Sequence, residues 1–141
     1  MHMPRPSLVV RLRLAAVCFC ATAPFSVPAQ QASIPPMKSE GAVQYVCGGI
    51  GSDESTVMRA AMKDHPLALL FSQADGAYTA DVAVTIKSAG GATALAMRAS
   101  GPVCLVDLPA GRYTIEASSE GVTKRRGVTV GGGSKTAGFR F

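Results

Sequence analysis

The sequence predicts a mainly β protein, a seven-stranded antiparallel β-sandwich with one short N-terminal α-helix. From residue 66 onward, turn-forming groups of Gly, Pro, Asp and Ser recur at intervals of about ten residues, and no helical periodicity interrupts them. Some segments between these turns are short apolar runs and others alternate apolar and polar side chains, most regularly where Val82, Val84 and Ile86 share one face. Short alternating strands at this spacing are typical of an antiparallel sandwich, whereas intervening helices would indicate a βαβ fold.

Each predicted strand is bounded by a turn. Val103 to Val106 are apolar on both faces, which places this segment in the centre of a sheet and buries Cys104. The connections that follow residues 88 and 130 are predicted to be hairpins. In chain order, the predicted strands cover 67–71, 78–87, 94–99, 103–106, 112–117 and 122–130, and a last strand carries Phe139 and Phe141.

A strand and a helix precede the seven strands. Alternation over 41–46 predicts a short strand that ends at the glycines of 48–51. The helix is predicted over about 52–64, with Ser52 as its N-cap and two carboxylates in its first turn. One stripe of apolar residues at spacings of three and four should pack on a sheet, namely Val57, Met58, Ala61 and Met62.

The N-terminus has the pattern of a secretory signal peptide over residues 1–29. Three arginines form a positive region, and the apolar run over 14–23 that follows is too short to span a bilayer, which takes roughly twenty residues. Small residues at 27 and 29 suit a signal peptidase, so cleavage is predicted after Ala29. The mature chain then has no transmembrane segment, and its predicted location is periplasmic or secreted.

Removal of the signal changes the composition of the protein. The signal holds three of the 14 Lys and Arg residues, which leaves 11 against nine Asp and Glu, a formal charge of +2 instead of +5. No nucleic-acid partner is expected, because the excess positive charge belongs mostly to the signal. Residues 30–40, rich in Pro and small side chains, are predicted to be a disordered leader, and 41–141 the one folded domain.

Removal of the signal also lowers the number of cysteines in the protein. Of the four cysteines, Cys18 and Cys20 lie in the signal, and Cys47 and Cys104 remain. A single pair in an oxidising compartment has one possible connectivity, so a Cys47–Cys104 disulfide is predicted. Two buried free thiols are the alternative, because both cysteines lie among apolar residues.

The mature chain holds few of the residue groups from which active sites are built. Its one histidine, His65, follows the predicted helix, where the helix dipole favours a solvent-facing side chain. Three Cys and His residues, two of them paired, are too few for structural zinc, and no calcium-loop spacing occurs. No catalytic residue, metal site or cofactor is predicted, and anion binding by Gly48 to Gly51 before the helix stays open as an alternative to a simple turn.

One concentrated charge feature stands out in the sequence, formed by Lys124, Arg125 and Arg126. It interrupts the inward-facing pattern of Val122, Val128 and Val130. Such charge discourages an edge strand from pairing with another edge. Alternatively, the three side chains contact an acidic partner or an anionic lipid headgroup, which makes them the candidate binding residues.

A run of residues before one predicted strand indicates a family. Leu108-Pro109-Ala110-Gly111-Arg112-Tyr113 forms a turn whose tyrosine should cap the core. With the strands around it, the segment 76–141 resembles the carboxypeptidase regulatory-like domain, and the resemblance implies a seven-stranded transthyretin-like (prealbumin-like) sandwich. The preceding segment resembles small uncharacterised exported proteins of Gram-negative bacteria that carry this module alone. The family's domain is an accessory to metallocarboxypeptidases and other exported proteins and is not itself the catalyst. The zinc signature of metallocarboxypeptidases is missing here, so the resemblance implies no catalytic residue.

These observations favour an exported, non-catalytic binding or accessory module of the bacterial periplasm. An envelope protein or a carbohydrate is the expected partner, bound at a sandwich edge or at the loops of one end, and the oligomeric state stays open. A structural or stress-related envelope protein is the first alternative. A small hydrolase is the second, and the shortage of nucleophile and base pairs disfavours it.

Export and oxidation are tested together by the intact mass of the protein recovered from outside the cytoplasm. We expect the mass of residues 30–141 less two hydrogen atoms, because the signal is removed and one disulfide forms. Reduction should restore the two hydrogens. A retained N-terminus would contradict the predicted location.

Overall fold

The computed structural model describes residues 2–4, 20–26 and 32–141 of the chain. They belong to two compact units, Met1–Gln30 and Gln31–Phe141. In the first unit, the described residues form neither helix nor strand. Most of the predicted signal peptide, including its three arginines and the cleavage site at Ala29, lies outside the described residues and stays a prediction. Within the described ranges, no helix is both long and apolar enough to cross a membrane.

The second unit is mainly β, with nine strands in two sheets that enclose a common core. The five-stranded sheet consists, in spatial order, of β1 (Lys38–Glu40), β2 (Val43–Gly48), β6 (Val103–Asp107), β3 (Leu67–Ser72) and β9 (Lys135–Arg140). The four-stranded sheet consists of β5 (Thr93–Ala99), β4 (Val82–Ser88), β7 (Gly111–Ser119) and β8 (Val122–Val130). This arrangement is sandwich-like, as the sequence predicts.

The number of strands differs from the predicted seven. All seven strands predicted after residue 66 are present, and β2 is the strand predicted over 41–46. The ninth strand, β1, lies in the segment 30–40, which was predicted to be disordered. It pairs with β2, while Ile34 and Met37 pack against an apolar cluster that contains Met58 of the helix, so residues 34, 37 and 38–40 contact the folded domain.

The sandwich is also not wholly antiparallel. β9 pairs with β3 in parallel, with Leu69 opposite Ala137 and Phe71 opposite Phe139. The predicted hairpin between β8 and β9 is therefore wrong, because residues 131–134 carry the chain from one sheet to the other. Gly131, Gly132 and Gly133 all have positive φ, a backbone conformation that glycine adopts without steric cost.

The core lies between the two sheets and is built from the inward faces that the alternation predicts. Val82, Val84 and Ile86 of β4 are buried, as are Leu69 and Phe71 of β3. These side chains belong to one apolar cluster to which both sheets contribute. Burial of such a cluster is the main favourable contribution to folding, about 25 cal/mol for each Å² of apolar surface removed from water.

The helix packs on the outer face of the five-stranded sheet. It runs over Ser52–Ala61 (α1) and continues as a 3₁₀ turn over Met62–Asp64, which matches the predicted extent. Met58 is completely buried against the outward side chains of β2, β3 and β6. Ser52 was predicted as the N-cap, but Gly51 holds that position with φ 91°, a left-handed conformation that favours glycine over serine.

β6 occupies the centre of the five-stranded sheet, and every residue from Val103 to Val106 is buried, as their apolar character predicts. Cys104 of β6 lies directly opposite Cys47 of β2, with the two Cα atoms 4.1 Å apart, and a disulfide joins them. The bond thus lies within one sheet and fixes β2 to the central strand. The alternative of two free thiols is excluded.

The contribution of this bond to stability is measurable by urea unfolding. The two cysteines are 57 positions apart in the sequence, and a disulfide that closes a loop of that size stabilises a fold by about 4 kcal/mol. We expect C47A/C104A to lose a comparable free energy of unfolding relative to the oxidised protein. Reductant should lower the stability of the natural sequence and leave that of the variant unchanged. Equal urea midpoints for the variant and the oxidised protein would contradict this role.

Candidate functional site

A groove runs between the edge strand of each sheet, where β8 and β9 lie side by side. Its volume is about 450 Å³. Residues 131–134 connect β8 to β9 across the two sheets. The groove lies at some distance from this connection, beside residues 124–126 of β8 and 138–140 of β9. It is lined by Leu70 and Ser72 of β3, by all three predicted binding residues of β8, and by Gly138, Phe139 and Arg140 of β9.

The charged wall of the groove belongs to β8, which is an edge strand of the four-stranded sheet. The interpretation of its basic residues as protection of an edge requires this position. In the register with β7, Lys124 lies opposite Ala117 and Arg126 opposite Ile115. Ala117 and Ile115 are buried in the core, so positions 124 and 126 lie on the inward side of the strand. Both residues are nevertheless exposed, because no further strand of this sheet lies beyond β8.

Arg125 differs from its two neighbours. It lies opposite Glu116 on the outward side of the sheet, and its Nε lies 3.0 Å from a Glu116 carboxylate oxygen. The Lys87 Nζ lies 3.7 Å from the same oxygen. Arg125 is 71% exposed, so the Arg125–Glu116 ion pair contributes little to stability. Glu116 nevertheless supplies a negative charge next to Arg125. The candidate binding cluster is thus divided into one paired cation and two inward-side ones.

β9 forms the floor of the groove and adds a further cation. Phe139 points into the core and stacks on Phe71, with ring centroids 5.8 Å apart. Arg140 is exposed, and an added Cβ at Gly138 would meet nothing within 4 Å. Among the residues that the structure describes, Lys124, Arg126 and Arg140 make no salt bridge, and no carboxylate lines the groove.

Sequence reasoning identified the β8 part of this groove and missed the β9 part. Lys124 and Arg126 were visible as part of a run of basic residues. Arg140 is isolated in the sequence, and it joins them only because the last strand crosses to the other sheet. The predicted β8–β9 hairpin would have placed all of these residues in a single sheet.

His65 is not the solvent-facing residue that its position after the helix predicts. Its backbone is extended, and its side chain is only 19% exposed. The Nδ1 atom lies 2.7 Å from an oxygen of Asp107, at the end of β6. The pair links the end of the 3₁₀ turn to the central strand. Across 2–4, 20–26 and 32–141, no three Cys, His, Asp or Glu side chains are grouped to hold a metal ion.

The glycine-rich turn before the helix has an internal partner. The Gly49 N–H donates a hydrogen bond of 2.8 Å to Oε1 of Glu54. A carboxylate of the chain itself therefore occupies the position in which an external anion would bind at a helix N-terminus. This contact favours the interpretation of Gly48 to Gly51 as a structural turn.

The described residues define a class of protein, a mainly β sandwich with a disulfide inside one sheet and a cationic groove at one side. Comparison of the chain with models of known protein families and with curated protein sequences finds no match. The resemblance of 76–141 to the carboxypeptidase regulatory-like domain therefore stays a prediction. The expected cap is present, since Tyr113 is half-buried and its hydroxyl donates a 2.7 Å hydrogen bond to the Pro109 carbonyl.

Proposed function

We propose that this chain is an exported, non-catalytic β-sandwich that binds an anionic partner in the bacterial periplasm, through the groove between β8 and β9. The observation that carries the proposal is the convergence of Lys124, Arg126 and Arg140 from two different sheets, without a facing carboxylate in the described residues. The expected transthyretin-like accessory domain is compatible with such a role, since its family members assist other exported proteins.

Export is supported by two independent features. The first is the signal-peptide pattern over 1–29, with its positive region, short apolar run and small residues before the predicted cleavage site. The second is the Cys47–Cys104 disulfide, which is a bond of oxidising compartments. Together they favour the periplasm over the cytoplasm as the place of action.

Binding is supported by the charge distribution. Protection of an edge accounts for Lys124 and Arg126, because inward-side charges on an edge strand oppose pairing with another sheet. Arg140 lies on β9, the edge strand of the other sheet, and lines the same groove, so cations from two different edges are brought to one place. Like charges held close together repel one another, and an anionic partner relieves that repulsion.

Titration with poly-L-glutamate at low ionic strength tests this function. We expect binding that weakens as salt is added, because the attraction between exposed charges is screened. The variant K124Q/R126Q should bind at least about tenfold more weakly, since two charge-assisted contacts are lost.

The matched control is K63Q/R112Q, which removes the same net charge from two exposed residues outside the groove. It should retain the affinity of the natural sequence. Both variants should keep the same urea midpoint and the same elution volume in size-exclusion chromatography. Equal loss of affinity in the two variants would show that only net charge matters and would overturn the assignment of the groove.

A further inference from the structure

We propose that the anionic partner is an extended acidic peptide segment, which adds as a strand to the open edge of β9. This inference rests on the proposed function and specifies its ligand class. Charge alone attracts any polyanion, whereas the backbone of β9 offers a second kind of recognition that only another polypeptide strand can use.

The hydrogen-bonding pattern of β9 identifies its unpaired groups. The Lys135 N–H donates to the Pro66 carbonyl, and the Phe141 N–H donates to the Ser72 carbonyl, so odd-numbered residues of this segment point toward β3. Successive residues of a strand direct their N–H and C=O groups to opposite sides. Residues Thr136, Gly138 and Arg140 therefore direct theirs away from β3, where no strand of the described chain pairs with β9.

Space is available at the end of the groove away from the β8–β9 connection. Position 138 directs its Cβ to the outer face of the five-stranded sheet, because its neighbours Ala137 and Phe139 are buried in the core, and a side chain there would meet nothing within 4 Å. Gly138 and Arg140 line the groove, whereas Thr136 lies next to the connection to β8. The N–H and C=O groups of Gly138 and Arg140 are thus the ones that an added strand would engage.

The spacing of the cations matches an extended acidic peptide. Lys124 and Arg126 are two residues apart on the same side of β8, which is roughly 6.6 Å along a strand. Carboxylates at alternate positions of an extended peptide have the same spacing, since side chains two residues apart share a face. Strand addition of this kind combines main-chain hydrogen bonds with selection of alternate side chains.

The same charges disfavour a second copy of this chain as the occupant. Pairing of two β9 edges would bring Lys124, Arg126 and Arg140 of one copy close to the same residues of the other. Edge strands use such like-charge contacts to avoid self-association. An acidic strand meets no such repulsion, so the groove discriminates between the two occupants.

The experiment uses three short synthetic peptides of alternating Thr and Glu, with blocked termini. One is unmodified, one is N-methylated at every Thr nitrogen, and one is N-methylated at every Glu nitrogen. Because Thr and Glu nitrogens point to opposite edges of the extended peptide, only one methylated peptide loses the N–H groups that face β9. We expect that one peptide to bind at least about tenfold more weakly than the unmodified one, and the other to bind nearly as well.

The possible outcomes separate the two proposals. Failure of the unmodified peptide and of poly-L-glutamate to bind would overturn the proposed function. Equal binding by all three peptides would leave anion binding intact and refute strand addition. Binding of anionic phospholipid vesicles with the same loss in K124Q/R126Q, together with no difference among the three peptides, would assign the groove to lipid headgroups instead.

Discussion

Burial of β6 on both faces is the constraint on which the rest of the structure depends. Its side chains contribute alternately to the core between the sheets and to the cluster beneath the helix. On one side β6 pairs with β2, and the disulfide holds that pair together. On the other side it pairs with β3, which in turn carries β9. A substitution that weakens β6 should therefore loosen both the N-terminal strands and the edge that forms the groove.

The groove arises from this sheet order. β3 has β6 on one side, and its other side is open to the last strand of the chain. β9 pairs there with β3 in parallel, so it belongs to the five-stranded sheet, although β8, the strand before it in sequence, belongs to the four-stranded sheet. Two edge strands from different sheets thus border one groove, and their cations meet there. Neither strand alone would form a site, since Lys124 and Arg126 without β9 are simply the charged rim of a sheet.

Much of the fold could be predicted from local patterns. Alternation and two short apolar runs located the strands from Leu67 onward, the spacing of Met58 and Ala61 gave the helix face, and the cysteine pair followed from counting. Sheet membership could not be predicted in this way, because the turns after β5 and β8 have the composition of hairpin turns and yet cross between sheets. Gly101, in the first of these turns, lies against the backbone of Gly48, a close approach that only the folded chain reveals.

The site was predictable only in part, for the same reason. A run of three basic residues is visible in any sequence, but its division into outward Arg125 and inward-side Lys124 and Arg126 depends on the register with β7. The contribution of Arg140 depends on the parallel pairing of β9 with β3. His65 shows the opposite case, in which a residue at a helix end is taken out of solvent by a tertiary partner, Asp107.

Amide hydrogen exchange in the presence of an acidic peptide tests the central claim most directly, because it reports on individual backbone groups of β9. The account predicts that the peptide slows exchange at Gly138 and Arg140, whose N–H groups face the groove. Exchange at Ala137 and Phe139 should change little, since their N–H groups already point toward β3. Protection of other surfaces, with Gly138 and Arg140 exchanging as fast as in the free protein, would contradict the account.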